Sequence, residues 1–252
     1  MGERVVLLLH GQPGGADDWS GVSAAIGARA HTIVIDRPGW NGRGSPTNLA
    51  GNARAALTAL AAEGVQRATV VGHSLGGAVA AWLAAEHPEH VASLVLAAPS
   101  ANRASLNRLD RLLATPLLGP PLVAAGLAGA GAALRADPLR RRISAELGLG
   151  EDYLRSAGCA LLRPATWRVF AFEQRMLIRE LPALEQRLGA ISAPTTVVSG
   201  TADRIVTPSS ARMLAAQIRG GDLVRLPGAT HLLPQQRPAG LAEIIVRASR
   251  SD

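Results

Sequence analysis

The sequence predicts an α/β protein built on a doubly wound parallel sheet. Short apolar runs, several of them rich in β-branched residues, alternate with longer helical patterns, which is typical of βαβ construction. These runs are almost continuously apolar, as strands are when helices cover both faces of a sheet. A third observation indicates an insertion, because about a hundred residues between the fourth and fifth runs contain no strand pattern.

Six strands and five core helices follow from this alternation. The strands are predicted at residues 4–9, 31–35, 68–71, 91–97, 195–199 and 222–226. The helices are predicted at residues 18–28, 48–63, 75–86, 209–217 and 238–249. Pro208 and Pro238 suit the first turn of their helices, where the missing N–H costs no hydrogen bond.

The long interval is predicted to fold as helices only. They are expected at residues 104–114, 122–134, 138–147, 152–162 and 166–188, the last with a break at Pro182. An all-helical insertion in a parallel sheet is typical of a lid over the carboxyl edge of the sheet. The predicted domains are therefore a core of residues 1–99 and 190–252 and a helical cap of residues 100–189.

Composition excludes several classes of protein. The formal net charge is +7, and every basic residue is Arg, but these are scattered and only 3% of residues are aromatic. Nucleic-acid surfaces gather their charge on one face, so a nucleic-acid partner is not expected. The N-terminal apolar run and residues 120–134 are too short to span a bilayer. We expect a cytoplasmic protein without a membrane span, and either a monomer or a homodimer.

Residues 72–76, Gly-His-Ser-Leu-Gly, form the motif with the clearest chemistry. They follow a predicted strand and precede a predicted helix, so the chain must turn sharply at Ser74. Flanking glycines relieve the crowding of such a turn and let a serine project over the edge of the sheet. The pattern predicts that Ser74 is a nucleophile, although a glycine-rich strand–helix junction would look the same.

A serine nucleophile needs a base and an acid that orients the base. Of six histidines, His231 lies in the loop after the last strand, on the same carboxyl edge as Ser74. Asp203 lies in the loop after the fifth strand, where a turn or capping role is the alternative. His87 and His90 have the spacing of a metal pair, but Pro88 interrupts their helix, so no metal site is expected.

The loop after the first strand, residues 10–15, is predicted to supply half of an oxyanion hole. Its donor would be the backbone N–H of Gln12, because Pro13 has none, and the N–H of Leu75 would be the second donor. His10 would orient this loop through hydrogen bonds. The loop has neither the Walker spacing nor the dinucleotide spacing of glycines, so no cofactor is expected.

Over nearly its whole length the chain resembles the α/β-hydrolase superfamily. The resemblance rests on residues 10–14, 36–40 and 72–76, on Asp203 within Gly-x-x-Asp-x-x-Val, and on Gly228-x-x-His231. It implies an esterase-like triad and a helical cap after the fourth strand. Members usually begin with an extra hairpin, which this sequence lacks, so we predict about six parallel strands in the order 2-1-3-4-5-6. A serine nucleophile also argues against epoxide hydrolase and haloalkane dehalogenase activities, since enzymes of both kinds use Asp at that position.

The sequence therefore predicts a serine hydrolase for a carboxylic ester or related acyl compound. A small, apolar acyl substrate is expected, in a pocket to which Trp40, Trp167, Phe170 and Met176 contribute, although such residues can equally pack a cap onto a core. Carbon–carbon bond hydrolysis, perhydrolysis and lyase chemistry use the same triad and stay open. A slow-turnover receptor that has kept the pocket is the alternative from a different class.

Overall fold

Six strands form one parallel sheet in the computed structural model, which describes residues 4–250. The strands are β1 (Val5–Leu9), β2 (His31–Ile35), β3 (Ala68–His73), β4 (Val91–Ala97), β5 (Thr195–Gly200) and β6 (Asp222–Leu226). Their spatial order is β2-β1-β3-β4-β5-β6, and every neighbouring pair is parallel. The predicted fold class and strand order are confirmed.

Eleven α-helices lie within the described residues. They are α1 (Ser20–Ile26), α2 (Leu49–Ala62), α3 (Leu75–Glu86), α4 (Arg108–Leu113), α5 (Gly119–Arg135), α6 (Asp137–Leu147), α7 (Glu151–Leu161), α8 (Pro164–Arg187), α9 (Pro208–Gln217), α10 (Leu233–Gln236) and α11 (Pro238–Ala248). Pro208 and Pro238 occupy first turns, as the sequence predicted. In residues 4–250 no helix is long and apolar enough to cross a bilayer.

The centre of the sheet is the most deeply buried part of the core. Every residue of β3 and of β4 is buried, which explains why both strands are mostly apolar without alternation. Helix α3 is apolar on most of its surface and contributes nine buried residues, so it packs as an interior helix. This core fixes the carboxyl end of β3, which carries the turn at residue 74, and the carboxyl end of β4, whose Ala97 carbonyl accepts a hydrogen bond from the N–H of Ser74.

The chain divides into two compact units. One contains the residues up to Leu106 and those from Arg179 onward, and the other is Asn107–Ile178. The second unit is helical and inserted between β4 and β5, as predicted. Within it α5 and α7 approach closely, because a Cβ on Gly131 would lie 2.9 Å from the carbonyl oxygen of Gly158. The predicted cap limits at residues 100 and 189 stay a prediction.

Two helix predictions within the long interval were wrong. Residues 104–114 are not one helix, because Leu106 is extended and Asn107 caps a new helix by accepting a hydrogen bond from the N–H of Asp110 at 3.0 Å. The expected break at Pro182 is absent, and α8 runs through it. Leu181 and Leu184 on either side are fully buried, so their packing compensates for the hydrogen bond that proline removes.

Candidate active site

Ser74 lies in a strained turn between β3 and α3. Its φ of 53° and ψ of −119° fall outside the regions that residues with a side chain usually occupy. The turn is held by the N–H of Ser74, which donates to the carbonyl of Ala97 at 3.0 Å. The Ser74 carbonyl accepts from the N–H groups of Gly77 (2.9 Å) and Ser100 (3.0 Å). The hydroxyl is thereby fixed at the carboxyl edge of the central strands.

Glycines make this turn possible because backbone segments pass against it. A Cβ on Gly72 would clash with the backbone of Gly76, and a Cβ on Gly76 would clash with the backbone at the end of β1. A Cβ on Gly11 would lie 2.9 Å from the Cβ of Ser74. The loop after β1 therefore runs directly beside the serine, which is where an oxyanion donor from that loop must lie.

His231 and Asp203 meet Ser74 from two other loops at the same edge. The Nε2 atom of His231 lies 3.1 Å from Ser74 Oγ, and its Nδ1 atom lies 2.9 Å from Asp203 Oδ2. All three residues are buried, with exposed fractions of 6% for Ser74, 8% for His231 and 4% for Asp203. The three side chains that the sequence singled out are thus in one hydrogen-bonded chain.

The Asp203 carboxylate is held by the backbone of its own loop. Its Oδ1 atom accepts hydrogen bonds from the N–H groups of Ile205 at 2.8 Å and Val206 at 2.9 Å. Its second oxygen is left to face His231. Since an ionised carboxylate only accepts hydrogen bonds, the His231 proton sits on Nδ1, and Nε2 presents a lone pair to the serine hydroxyl. This tautomer can remove a proton from Ser74.

His73, next to Ser74 in the chain, makes a further contact with His231. Its Nε2–H donates to the carbonyl of His231 at 2.8 Å, and the two rings lie 5.1 Å apart. Burial, and to a smaller extent the proximity of His231, lower the pKa of His73 to about 3, against smaller raising effects of this hydrogen bond and of Asp203. His73 is therefore neutral at pH 7 and anchors the main chain of His231.

The depressed pKa of His73 predicts a loss of stability in mild acid. In the unfolded chain a histidine has a pKa near 6.5, whereas His73 in the folded protein is not protonated until about pH 3. Between these pH values only the unfolded state binds the proton, and this stabilises the unfolded state. The free energy of unfolding is therefore unaffected by this group above pH 6.5 and decreases as the pH drops below it. His73→Gln keeps a hydrogen-bond donor but does not titrate. Between pH 7 and pH 5 its free energy of unfolding should decrease by about 2 kcal/mol less than that of the wild type.

Urea unfolding at the two pH values measures this difference. Between pH 8 and pH 7 the stability difference between wild type and His73→Gln should stay nearly constant, which serves as the internal control. Equal losses in both proteins on going to pH 5 would contradict the assignment.

The loop after β1 is fixed by His10 and Arg37. His10 Nδ1–H donates to the carbonyl of Gly11 at 2.7 Å, while its Nε2 accepts from the N–H of Arg37 at 2.9 Å. The Arg37 guanidinium donates to the carbonyls of His10 at 2.8 Å and Gly11 at 3.0 Å. These hydrogen bonds keep the carbonyl groups of His10 and Gly11, the two residues before Gln12, turned towards Arg37. This agrees with the predicted orienting role of His10.

Both ring nitrogens of His10 are used in a way that requires the neutral ring. Burial lowers the pKa of His10 well below its ordinary value, and the charge of Arg37 lowers it further. A charged His10 would have no acceptor for the Arg37 N–H. The sequence assigned no role to Arg37 or to His73. The signal for Arg37 was its place in the motif at residues 36–40, directly after a strand.

The remaining predicted residues lie in different places. Gln12 follows the fixed Gly11, and Leu75 is the first residue of α3, where an N–H has no partner within the helix. Trp40 is buried against His10, with ring centroids 6.0 Å apart, and beneath the guanidinium of Arg37. Trp167, Phe170 and Met176 lie on the part of α8 that belongs to the second compact unit. Met176 is buried, and the other two side chains are partly buried. That these three residues line a substrate pocket stays a prediction.

The described residues offer no grouped ligands for a metal ion. Within residues 4–250 no three or more His, Cys, Asp or Glu side chains are clustered as such ligands would be. His87 and His90, the pair with ligand-like spacing, both lie near Glu89, at 3.8 and 3.6 Å.

Comparison with known proteins identifies the family. A sequence profile of the Alpha/beta hydrolase family matches residues 6–244. The chain belongs to the Alpha/beta hydrolase family. The sharp turn from β3 into α3 at Ser74 is a feature that this family shares.

Several relatives span most of the chain. RutD of Klebsiella pneumoniae (strain 342), whose name assigns it provisionally to carbamate hydrolysis, is 29% identical over 256 residues, covering 91% of this chain and 85% of RutD. Monoacylglycerol lipase abhd6-B of Xenopus laevis is 25% identical over 263 residues, covering 95% and 73%. An alpha/beta hydrolase fold protein from Nakamurella multipartita superposes with a TM-score of 0.67 at 29% identity, covering 98% and 92%.

Proposed function

We propose that this protein is a serine hydrolase that cleaves a carboxylic ester or a related acyl compound through an acyl-enzyme. One observation carries the proposal: His231 Nε2 lies 3.1 Å from Ser74 Oγ while His231 Nδ1 lies 2.9 Å from Asp203. A serine hydroxyl is a weak nucleophile unless a base takes its proton, and this chain provides the base, its tautomer and its orientation.

The reaction follows from this geometry in two halves. Ser74 Oγ attacks the substrate carbonyl while its proton passes to His231 Nε2, and the carbonyl oxygen becomes an oxyanion. The N–H groups of Gln12 and Leu75 would stabilise that charge. Collapse of the intermediate expels the alcohol, which takes the proton from His231, and leaves an acyl ester on Ser74. Water then attacks with His231 as base, releasing the acid and restoring Ser74.

Asp203 acts on both halves without accepting the proton itself. When His231 is protonated on both nitrogens, the buried carboxylate at 2.9 Å stabilises the cation. The two backbone bonds on the other carboxylate oxygen keep it from turning away. The neutral state of His73 adds no second positive charge beside this cation.

Two observations support a choice of substrate class: the names of the relatives and the apolar character of the predicted pocket residues. The names of the two relatives point to a monoacylglycerol in one case and to a carbamate in the other, so acyl transfer to a nucleophile is common to both. An apolar acyl group suits the predicted pocket residues Trp40, Trp167, Phe170 and Met176. We therefore propose short- and medium-chain esters as the first substrates to assay, with carbamates as the second class.

A fluorophosphonate probe and an ester panel test the proposal together. The probe should label wild-type protein on Ser74, located by peptide mass spectrometry, and short- and medium-chain p-nitrophenyl esters should be hydrolysed. Ser20→Ala, which changes an exposed serine at the start of α1, is the control and should be labelled like wild type. Labelling without turnover of esters, carbamates or carbon–carbon bonds would favour a receptor, and absence of labelling would refute the mechanism.

A further inference from the structure

A group of exposed leucines lies in the first part of the helical unit, on α4, on α5 and in the connection between them. We name it the leucine tip, and it consists of Leu109, Leu112, Leu117, Leu118 and Leu122. Their exposed fractions run from 39% for Leu112 to 88% for Leu117. Single exposed leucines need no explanation, but five of the eight large apolar side chains that are exposed within residues 4–250 fall between residues 109 and 122. Such a concentration of exposed apolar side chains is typical of an interaction surface.

The leucine tip is a turn between two helices. Leu109 and Leu112 are three residues apart on α4, so they share one helix face. Leu117 and Leu118 lie in the connection to α5, and Leu122 follows on the first turn of α5. The most exposed side chain of the five, Leu117, lies in the connection between the two helices. Exposed leucines on a turn can enter a fluid phase without a pocket that matches their shape.

Positive charge borders the leucine tip. Arg108 and Arg111 are exposed and lie on the flank of α4 next to Leu112. The Asp110 carboxylate between them is engaged within this unit, accepting from the N–H of Asn107 at 2.8 Å and from the Gln174 amide at 3.2 Å. Residues 107–178 carry ten Arg and six acidic residues, so this unit holds a net charge of +4 out of the +7 of the whole chain.

We propose that the leucine tip docks this protein onto an anionic lipid surface. The leucines would enter the boundary between headgroups and acyl chains, and Arg108 and Arg111 would contact lipid phosphates. Apolar side chains and flanking basic residues are the two features that interfacial binding combines. This inference does not depend on the proposed hydrolase activity, because binding to lipid can be measured with lipids that no ester hydrolase cleaves.

A second copy of the chain fits the leucine tip less well. Protein interfaces are enriched in aromatic residues, and residues 107–135 contain none. Leucine is also under-represented among the residues that dominate protein–protein binding. The border of arginines would face arginines in a symmetric pair, whereas an anionic bilayer complements it.

Vesicle sedimentation of the full-length protein tests the proposal. The vesicles are ether-linked phosphatidylcholine, alone or with phosphatidylglycerol, so that no acyl ester is present. We expect binding to the anionic vesicles, with the partition coefficient lowered at least about tenfold by Leu117→Asp with Leu118→Asp. Arg108→Gln with Arg111→Gln should lower binding to anionic vesicles by about fivefold per arginine and reduce the preference over neutral vesicles.

Matched variants on the other unit are the controls. Met213→Asp removes a side chain that is 51% exposed, and Arg212→Gln with Arg219→Gln removes two exposed arginines. These should bind vesicles like wild type, and circular dichroism should show all variants folded. Absent binding, or equal binding by wild type and the leucine variant, would overturn the proposal. So would a dimer in light scattering that the leucine variant alone abolishes, since the tip would then be a self-interface.

Discussion

Ser74→Ala is expected to lower kcat for ester hydrolysis by about 10⁶-fold. The variant loses the hydroxyl that lies 3.1 Å from His231 Nε2 and that attacks the carbonyl in the proposed reaction. His231, Asp203 and the proposed oxyanion donors remain, so a residual rate of about 10³- to 10⁴-fold over water is expected from binding and oxyanion stabilisation. Substrate KM should change little, because the hydroxyl contributes to the transition state rather than to ground-state binding.

Steady-state kinetics with the best p-nitrophenyl ester measure this loss. Because Ser74 is buried, removal of its hydroxyl can lower the stability of the fold. Thermal unfolding should therefore be measured to establish that the variant is folded. Ser20→Ala serves again as the control and should keep wild-type rates. A loss smaller than about tenfold would show that another group attacks the substrate, and the acyl-enzyme mechanism would be wrong.

Asp203→Asn is expected to lower kcat by about 10⁴-fold, because an amide in place of the carboxylate of the proposed triad selects the wrong histidine tautomer. The new amide can keep its oxygen on the N–H groups of Ile205 and Val206, as Asp203 Oδ1 does at 2.8 and 2.9 Å. Its NH₂ group then points a donor at His231 Nδ1. Nδ1 of the histidine must then accept this hydrogen bond with its lone pair, so the ring proton moves to Nε2. In this tautomer Nε2 can no longer accept the proton of the serine hydroxyl.

The dependence of the rate on pH separates this variant from Ser74→Ala. A rate that recovers at high pH, where hydroxide can deprotonate the serine, is expected for Asp203→Asn but not for Ser74→Ala. Asp222→Asn, which changes an exposed aspartate at the start of β6, is the control and should keep wild-type activity. If Asp203→Asn retained more than about a tenth of the wild-type kcat, Asp203 would be only the turn residue that the sequence left as an alternative.

The candidate site divides into residues that a local pattern reveals and residues that it does not. Ser74, Asp203 and His231 each follow a strand, and parallel strands bring their carboxyl ends to one edge, so the sequence could place all three together. Arg37 and His73 act on backbone carbonyls that are distant in the chain: His73 contacts residue 231, 158 positions away. A main-chain carbonyl leaves no mark in the sequence, so neither contact could be predicted, although the motif at residues 36–40 singled out the segment that contains Arg37.

Helix boundaries in the long interval were harder to predict for a related reason. The sequence placed a break at Pro182, because a proline removes a backbone hydrogen bond. Burial of Leu181 and Leu184 outweighs that loss, and burial depends on the whole fold. Conversely, Leu106 and Asn107 interrupt a stretch that looked like one helix, because the Asn107 side chain competes for backbone hydrogen bonds and starts a new one.

The sequence by itself determined the parallel sheet and the three loops that end at one edge, because apolar patterning and short glycine-rich turns are local. The strand order came from the resemblance to the α/β-hydrolase superfamily. Tertiary structure alone decided which lone pair faces Ser74, which side chain holds the carbonyls before Gln12, and which leucines remain exposed at the turn between α4 and α5. Those outcomes depend on hydrogen bonds and burial between residues far apart in the chain, and such pairing is fixed only when the core has packed.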